Sequence, residues 1–375
     1  MSQLVTSAEE LQRVCDRLRS EPVVAVDTEF LWERTYYPIL GLVQVAVSDG
    51  TCWLLDPIQL PTLQPFGEIL ASENSVKILH DALQDLTILV QCIQRTTGAL
   101  YLPRNIFDTR LSAGFSGFSS TISLKKLLES VMNIRLEKTE TRSNWTRRPL
   151  TPMQLEYASD DVLYLPELRV RLMRGCASPT VLRWMAEENR KYESEELYRG
   201  KDPMSMWTRV KGFTRALMET ERPKRGRFLS VLQETAAWRE EAARDHDRPR
   251  HFIISDELLI EIARYCPQNE VAFSRLPNCT RRFRPDILEG LLKAVKAGVA
   301  RDPSEAPQWN SLSLSIAERD ALRTKCKQQL EEIALRCAPY HIDPPLVISR
   351  DHLEAILTDR AENTLDSGWR KELLG

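Results

Sequence analysis

The 375-residue sequence contains no uninterrupted apolar run approaching the length of a membrane span, which argues against a transmembrane helix. Its eight cysteines (Cys15, Cys52, Cys92, Cys176, Cys266, Cys279, Cys326, Cys337) form no C-x-x-C pair, which argues against a zinc site and against a disulfide framework. The N-terminal MSQLVTSAEELQRV lacks the pattern of a signal peptide and reads as the start of an amphipathic helix, so a cytoplasmic chain is expected. An excess of one charge is also missing: 51 Lys and Arg stand against 53 Asp and Glu. Any attraction to a polyanion must therefore rest on local patches.

What is present is a globular composition, 42% hydrophobic and 28% charged, on a chain long enough for two or three domains. To about residue 200, strand and helix patterns alternate. A helix over SAEELQRVCDRLRS leads to the strand VVAVDTEF, and LVQVAVSDGTCWLLDP gives two alternating runs around Asp49-Gly50, a hairpin signal. Then come a helix over LQPFGEILAS, a strand SVKILH, a helix from about Asp81 to Gln94, a strand near IFDT and further helices. The order βββαβαβα predicts an α/β domain of the ribonuclease H-like kind, a mixed sheet with helices on its faces. Beyond the charged stretch YESEELYRGKDP the patterns are helical, with a second break at ARDPSEAPQWN. Domains are expected at 1–200, 207–295 and 300–375. FIISDELLIEIA (252–263) and LVISRDHLEAIL (346–357) share a lead-in, a serine N-cap and an amphipathic helix, suggesting a repeated helical module.

Three acidic clusters stand out. Asp27 and Glu29 end a strand and share a face, since side chains alternate there. Asp81 and Asp85 read as four apart on one helical face, and Tyr157 and Asp161 in YASDDVLYL likewise. Carboxylates without histidine or thiolate partners favour hard cations such as Mg²⁺ or Mn²⁺, and two such ions suit phosphodiester cleavage.

VDTEFLWERTYYPILGLVQVA, LHDALQDL and EYASDDVLYL resemble the ribonuclease D family of DEDD-superfamily 3′–5′ exonucleases, in the subgroup whose third motif is Y-x-x-x-D. KTETRSNWTRRPL is similar to that family as well. The resemblance implies catalytic residues Asp27, Glu29, Asp85, Tyr157 and Asp161. Asp27, Glu29 and Asp161 would hold one divalent metal and Asp27 and Asp85 a second, with Tyr157 positioning the water. It also implies release of nucleoside 5′-monophosphates from RNA 3′ ends, and tRNA precursors with 3′ extensions as substrates. Asp81 and Asp160 stand beside the motif acids, Asp108 reads as a helix-start residue, and His80 as a cap or a substrate contact. Arg142, Trp145, Arg147 and Arg148 combine charge with an aromatic face and are candidate RNA contacts.

LQETAAWREEAARDHDRPRHFIISDELLIEIA resembles an HRDC domain, and the last stretch a second, divergent one. The basic clusters RPKRGRF, RPRH and RRFR are candidates for phosphate contact. A DNA exonuclease of the same superfamily, and a silent RNA-binding scaffold, are the competing readings.

Overall fold

The β-branched run Val23–Leu31 forms the central strand of a six-stranded sheet in the computed structural model, which describes residues 2–136, 143–279, 282–309 and 315–375. The strands are β1 (Gln3–Val5), β2 (Val23–Leu31), β3 (Ile39–Val47), β4 (Cys52–Leu55), β5 (Val76–Leu79) and β6 (Ile106–Asp108), in the order β1-β4-β3-β2-β5-β6. The β2, β3 and β4 strands are consecutive and antiparallel, while β5 and β6 add in parallel beside β2. The hairpin turns at Asp49-Gly50, where Gly50 takes φ +85° and the Asp49 carboxylate accepts from Thr51 N–H at 2.8 Å.

Two expectations need correction. The N-terminus does not begin as a helix. Gln3–Val5 adds to β4 as an edge strand, and the helix starts only after Ser7, whose hydroxyl and Glu10 form a reciprocal capping box. Asp81 is also not on a helix: it sits at φ 65° in the turn after β5, and the helix begins at Leu83.

The helices of this part are α1 (Ala8–Leu18), α2 (Gln64–Ala71), α3 (Leu83–Thr97), α4 (Thr109–Ala113), α5 (Leu124–Met132), α6 (Pro152–Leu163), α7 (Leu165–Gly175) and α8 (Pro179–Asn189). The α6 helix packs against β2, β3 and β4, and α7 against β2 and β5.

The chain divides into two compact units, one of Met1–Leu31, Ile39–Tyr198 and Leu314–Gly375, the other of Trp32–Pro38 and Arg199–Ser313. The second unit holds α9 (Phe213–Glu219), α10 (Arg225–Asp245), α11 (Arg250–Ile253), α12 (Asp256–Tyr265), α13 (Glu270–Ser274) and α14 (Pro285–Ala300) around Trp207, Phe228, Leu232, Leu259, Leu291 and Val295. At Gly298 on α14 a β-carbon would lie 2.6 Å from Val231 Cα, so only glycine permits this close approach to α10.

The C-terminal helical region comprises α15 (Ile316–Cys337), α16 (Pro344–Val347), α17 (Arg350–Leu357) and α18 (Gly368–Leu374). It joins the core of the first unit. Trp369 is buried against Phe115 and Trp184, its indole N–H donates to Glu188 at 2.7 Å, and Arg370 pairs with Glu188 at 2.7 Å. Glu372 accepts two bonds from Arg183, at 2.9 and 2.6 Å, and one from the Trp184 indole at 2.9 Å.

The sequence echo has a local structural counterpart. Long helices of 21 and 22 residues, α10 and α15, each precede a four-residue helix, an extended isoleucine (Ile254, Ile348) and a serine cap, with a 3-10 turn at Ala338–Tyr340 intervening only after α15. Ser255 and Ser349 accept from the N–H of Leu258 and His352 at 3.3 and 3.2 Å. No helix among the described residues is long and apolar enough to cross a membrane.

Candidate active site

The strand β2 ends in the acids because its apolar half, Val24, Ala25 and Val26, is sandwiched in the core while its last residues reach the rim of the sheet. Strand alternation sends Asp27 and Glu29 to the face covered by α6, and Thr28 to the other. The α6 helix, started by Thr151 in a capping box with Gln154, carries Tyr157 and Asp161 one turn apart. As a result, carboxylate oxygens of Asp27, Glu29 and Asp161 lie within 4.8 Å of one another, the one such potential metal-ligand group among the described residues.

Asp85 enters from α3 on the opposite face. It lies outside that group, buried, and accepts a hydrogen bond from the Thr28 hydroxyl. Its charge still reaches the group, since it raises the pKa of both Asp27 and Glu29.

Burial and mutual repulsion dominate the electrostatics. Asp27 is pushed well above the usual carboxylate range by burial, then by Asp85, Asp161 and Glu29. Burial, with Asp161 and Asp85, raises Glu29 to about 8, and burial raises Asp85 to about 7. The Tyr157 hydroxyl is held above its ordinary value by burial and by the charges of Asp161, Glu29 and Asp27. Carboxylates crowded this way are stabilised as anions by a hard, compact cation, and an all-oxygen donor set fits Mg²⁺ or Mn²⁺. Gln44, paired across the strands with Asp27, is fully buried, and neither its amide nitrogen nor its oxygen has a hydrogen-bond partner among the described residues.

The group opens into a cleft of about 440 Å³ lined also by His80, Asp81, Arg110, Ile122, Ser123, Leu124, Lys125 and Leu136. Of the neighbouring candidates, Asp81 is ion-paired with Arg110, and Asp160 is absent from the three-acid group. His80 lies 2.9 Å from Thr109 Oγ1 and does not cap α3, whose cap position is Ala82. Asp108 is a helix-start residue. It accepts from the N–H groups of Arg110 and Leu111 at the start of α4, from those of Asp81 and Ala82 ahead of α3, and from the Tyr192 hydroxyl.

The candidate RNA contacts fare differently. Arg142 lies outside the described residues. Trp145 is 2% exposed, its ring 6.0 Å from that of Tyr157, so it offers no open face for a base. Arg148 spends its donors inside the protein, on Asp56 (2.6 Å twice), Trp145 O (2.8 Å) and Gly41 O (2.7 Å). Both are corrections, with one physical cause: the segment folds back onto β3, where a β-carbon on Gly41 would lie 2.7 Å from the Trp145 carbonyl oxygen. Arg147 is exposed. In the basic clusters, Arg250 is committed to Glu240 and Arg284 to Asp286, while Arg281 is outside the described residues.

Thr28, Gln44, Arg110 and Lys125 were not singled out from sequence. A lone amide in the apolar run LVQVAV was the one available signal, for Gln44.

A family model described as 3′-5′ exonuclease matches residues 2–176, and an HRDC domain model matches residues 228–295. Ribonuclease D of Desulfotalea psychrophila is 37% identical over 379 residues, covering 99% of this chain and 96% of that protein. Ribonuclease D of Pseudomonas paraeruginosa is 32% identical over 376 residues, covering 97% and 93%. Among solved structures, Escherichia coli RNase D, described as an exoribonuclease involved in structured RNA processing, matches with a TM-score of 0.80 at 27% identity, covering 100% of this chain and 96% of that one. The catalytic core of RRP6 from Trypanosoma brucei shares the fold, with a TM-score of 0.59 at 20% identity and 80% coverage of each chain. With such identity along nearly the whole of both chains, and with a 3′-5′ exonuclease model and an HRDC model matching in turn along this one, the chain belongs to the ribonuclease D family of 3′–5′ exoribonucleases.

Proposed function

We propose that the chain removes nucleotides one at a time from the 3′ ends of tRNA precursors, releasing nucleoside 5′-monophosphates, with two divalent metal ions held by Asp27, Glu29, Asp85 and Asp161. The observation that carries this reading is the convergence of Asp27, Glu29 and Asp161 within 4.8 Å in an open cleft. Divalent cations bound there would acidify a water and stabilise charge on the leaving oxygen. Asp27, Glu29 and Asp161 would hold one ion, and Asp27 with Asp85 the second. Because its pKa lies above the ordinary value, Tyr157 stays protonated at neutral pH and serves by orienting the nucleophile through its hydroxyl. The Thr28 hydroxyl fixes one oxygen of Asp85. Lys125 lines the same cleft and offsets phosphate charge, while Ile122, Leu124 and Leu136 supply its apolar wall, and Arg110 there is paired with Asp81.

Processing of structured RNA by the Escherichia coli relative supports the choice of tRNA precursors, whose maturation would place the chain in the cytoplasm. The matched arrangement of α10 to α12 and α15 to α17 supports reading residues 300–375 as a second, divergent HRDC-like unit after the domains at 1–200 and 207–295.

The test is a time course on 3′-extended tRNA and on single-stranded DNA of matched length, with Mg²⁺, with Mn²⁺, with EDTA, and with Asp27→Ala. Stepwise RNA shortening abolished by EDTA and by the substitution is the expected result. Preferential cleavage of the DNA would move the chain to the DNA exonucleases. RNA binding without cleavage in either metal would make it a scaffold.

A further inference from the structure

The motif TYYP follows the metal-site strand in sequence, yet the function above leaves it without a task. Residues Trp32–Pro38, which join β2 to β3, belong to the second compact unit. They are held there by a dense set of polar contacts. The Tyr36 hydroxyl donates to Glu240 at 2.5 Å and accepts from Arg244 Nε at 3.1 Å. The ring faces the guanidinium groups of Arg244 and Arg250, 5.8 and 5.2 Å from its centroid. One oxygen of Asp247 accepts from the backbone N–H of both Tyr36 and Tyr37 at 3.0 Å. The loop is braced internally by Thr35 Oγ1 on Tyr37 O (2.6 Å) and Trp32 Nε1 on Tyr36 O (3.1 Å).

The anchor itself is firm. Glu240 is fully buried and ion-paired with Arg250 and Arg244, so its position is set by the second unit's own packing. At the other end, the loop is closed by the Leu31↔Ile39 pair, two residues beyond Glu29, and the register of β2 on β3 slips between Glu29 and Phe30. A bulge re-aims the side chain beside it, and its geometry depends on where the strand end is held. Glu29 stands at that point.

We infer that Tyr36 is a positioning residue: by tying the β2–β3 loop to Glu240 and Asp247, it sets the direction in which Glu29 meets the metal ion, so that the helical unit adjusts the metal site through the chain itself. This inference rests on the two-metal reading above. It gives the HRDC-bearing unit an effect on the chemical step that is separate from any grip on RNA.

The test uses the full chain. Tyr36→Phe keeps the ring and removes the hydroxyl, while Asp247→Ala frees the two backbone N–H groups. Three quantities are read for each variant: Mn²⁺ affinity by electron paramagnetic resonance without RNA, kcat and KM on a 3′-extended RNA, and the thermal midpoint. Each variant should weaken Mn²⁺ binding and lower kcat by roughly tenfold, the scale on which groups supporting a metal ligand act, with KM for RNA unchanged. Mn²⁺ affinity and kcat equal to wild type in both variants, even with a lowered midpoint, would reduce Tyr36 to a stabilising contact and overturn the inference. A wild type that neither binds Mn²⁺ nor cleaves RNA would overturn the two-metal reading beneath it, which is a different result.

Discussion

Replacing Arg148 with methionine separates two accounts of the same residue. As an RNA contact, Arg148 could be removed at little cost to folding, and the KM for RNA would rise. The structure makes it instead one half of a buried ion pair: its side chain is 18% exposed, that of Asp56 0%, and both Asp56 oxygens are engaged at 2.6 Å. Removing one partner strands a buried carboxylate, which costs about 3–5 kcal/mol. A domain has only about 5–15 kcal/mol of stability, so the loss would be a large share of it. The pH dependence supplies a second signature. Burial alone would raise the Asp56 pKa, but Arg148 and Gln59 outweigh it and hold the carboxyl below its ordinary value. The pair's stabilisation is thus fully present above the unfolded carboxyl pKa of about 3.9 and is lost as pH falls through the depressed folded value. In Arg148→Met the pKa of Asp56 moves upward, so the deficit should be largest at neutral pH and shrink on acidification. Urea unfolding of both proteins at neutral pH and near pH 4, with KM measured on folded protein, checks this. A stability loss under about 1 kcal/mol together with a tenfold rise in KM would refute the reasoning and restore Arg148 as an RNA contact.

Thr28→Val, nearly isosteric, removes the hydroxyl bond to Asp85; a bond to a charged group contributes about 1.5–3 kcal/mol, so hydrolysis should fall by one to two orders of magnitude with folding intact, and unchanged kcat would show that Asp85 needs no such orientation. Trp369→Ala should cost about 3–5 kcal/mol and expose residues 315–375 to limited proteolysis first, because this indole is buried between Phe115 and Trp184; protection equal to wild type would contradict the docking. Lys77 is fully buried, its ammonium bonded to the carbonyls of Ser72 and Ser75, and burial lowers its pKa to about 8. The unfolded chain therefore binds more protons between about pH 8 and 10.4, so wild-type stability should gain about 3 kcal/mol across that window relative to Lys77→Met, and parallel curves in urea melts would dismiss the shift.

The candidate site residues could be picked out together because their placement is local. A strand alternates and a helix repeats every 3.6 residues, so Asp27 and Glu29, or Tyr157 and Asp161, share a face wherever the elements pack. The hairpin at Asp49-Gly50 and the serine caps at Ser255 and Ser349 were legible for the same reason. Other residues misled because their environment comes from far along the chain. Trp145 and Arg148 read as a basic aromatic loop, yet Arg148 meets Asp56, 92 residues away. Asp81 matched a helical spacing with Asp85, but backbone bonds from Asp81 and Ala82 to the Asp108 carboxylate hold the chain in a left-handed turn ahead of the helix. Gln3–Val5 is too short to show a period, and becomes a strand only because β4 offers an edge.

The sequence by itself determined which side chains are the candidates for the chemistry, since motif spacing and element type are properties of short segments. It also determined the family, through motifs in a fixed order. Only the tertiary structure decided which acids converge within 4.8 Å and which stands apart, that the last helices close onto the exonuclease core through Trp369 and Glu188, and that the TYYP loop is held by Glu240 and Asp247. Each of these joins residues far apart in sequence, and such contacts come into being only when burial brings distant faces together and their polar groups must find partners.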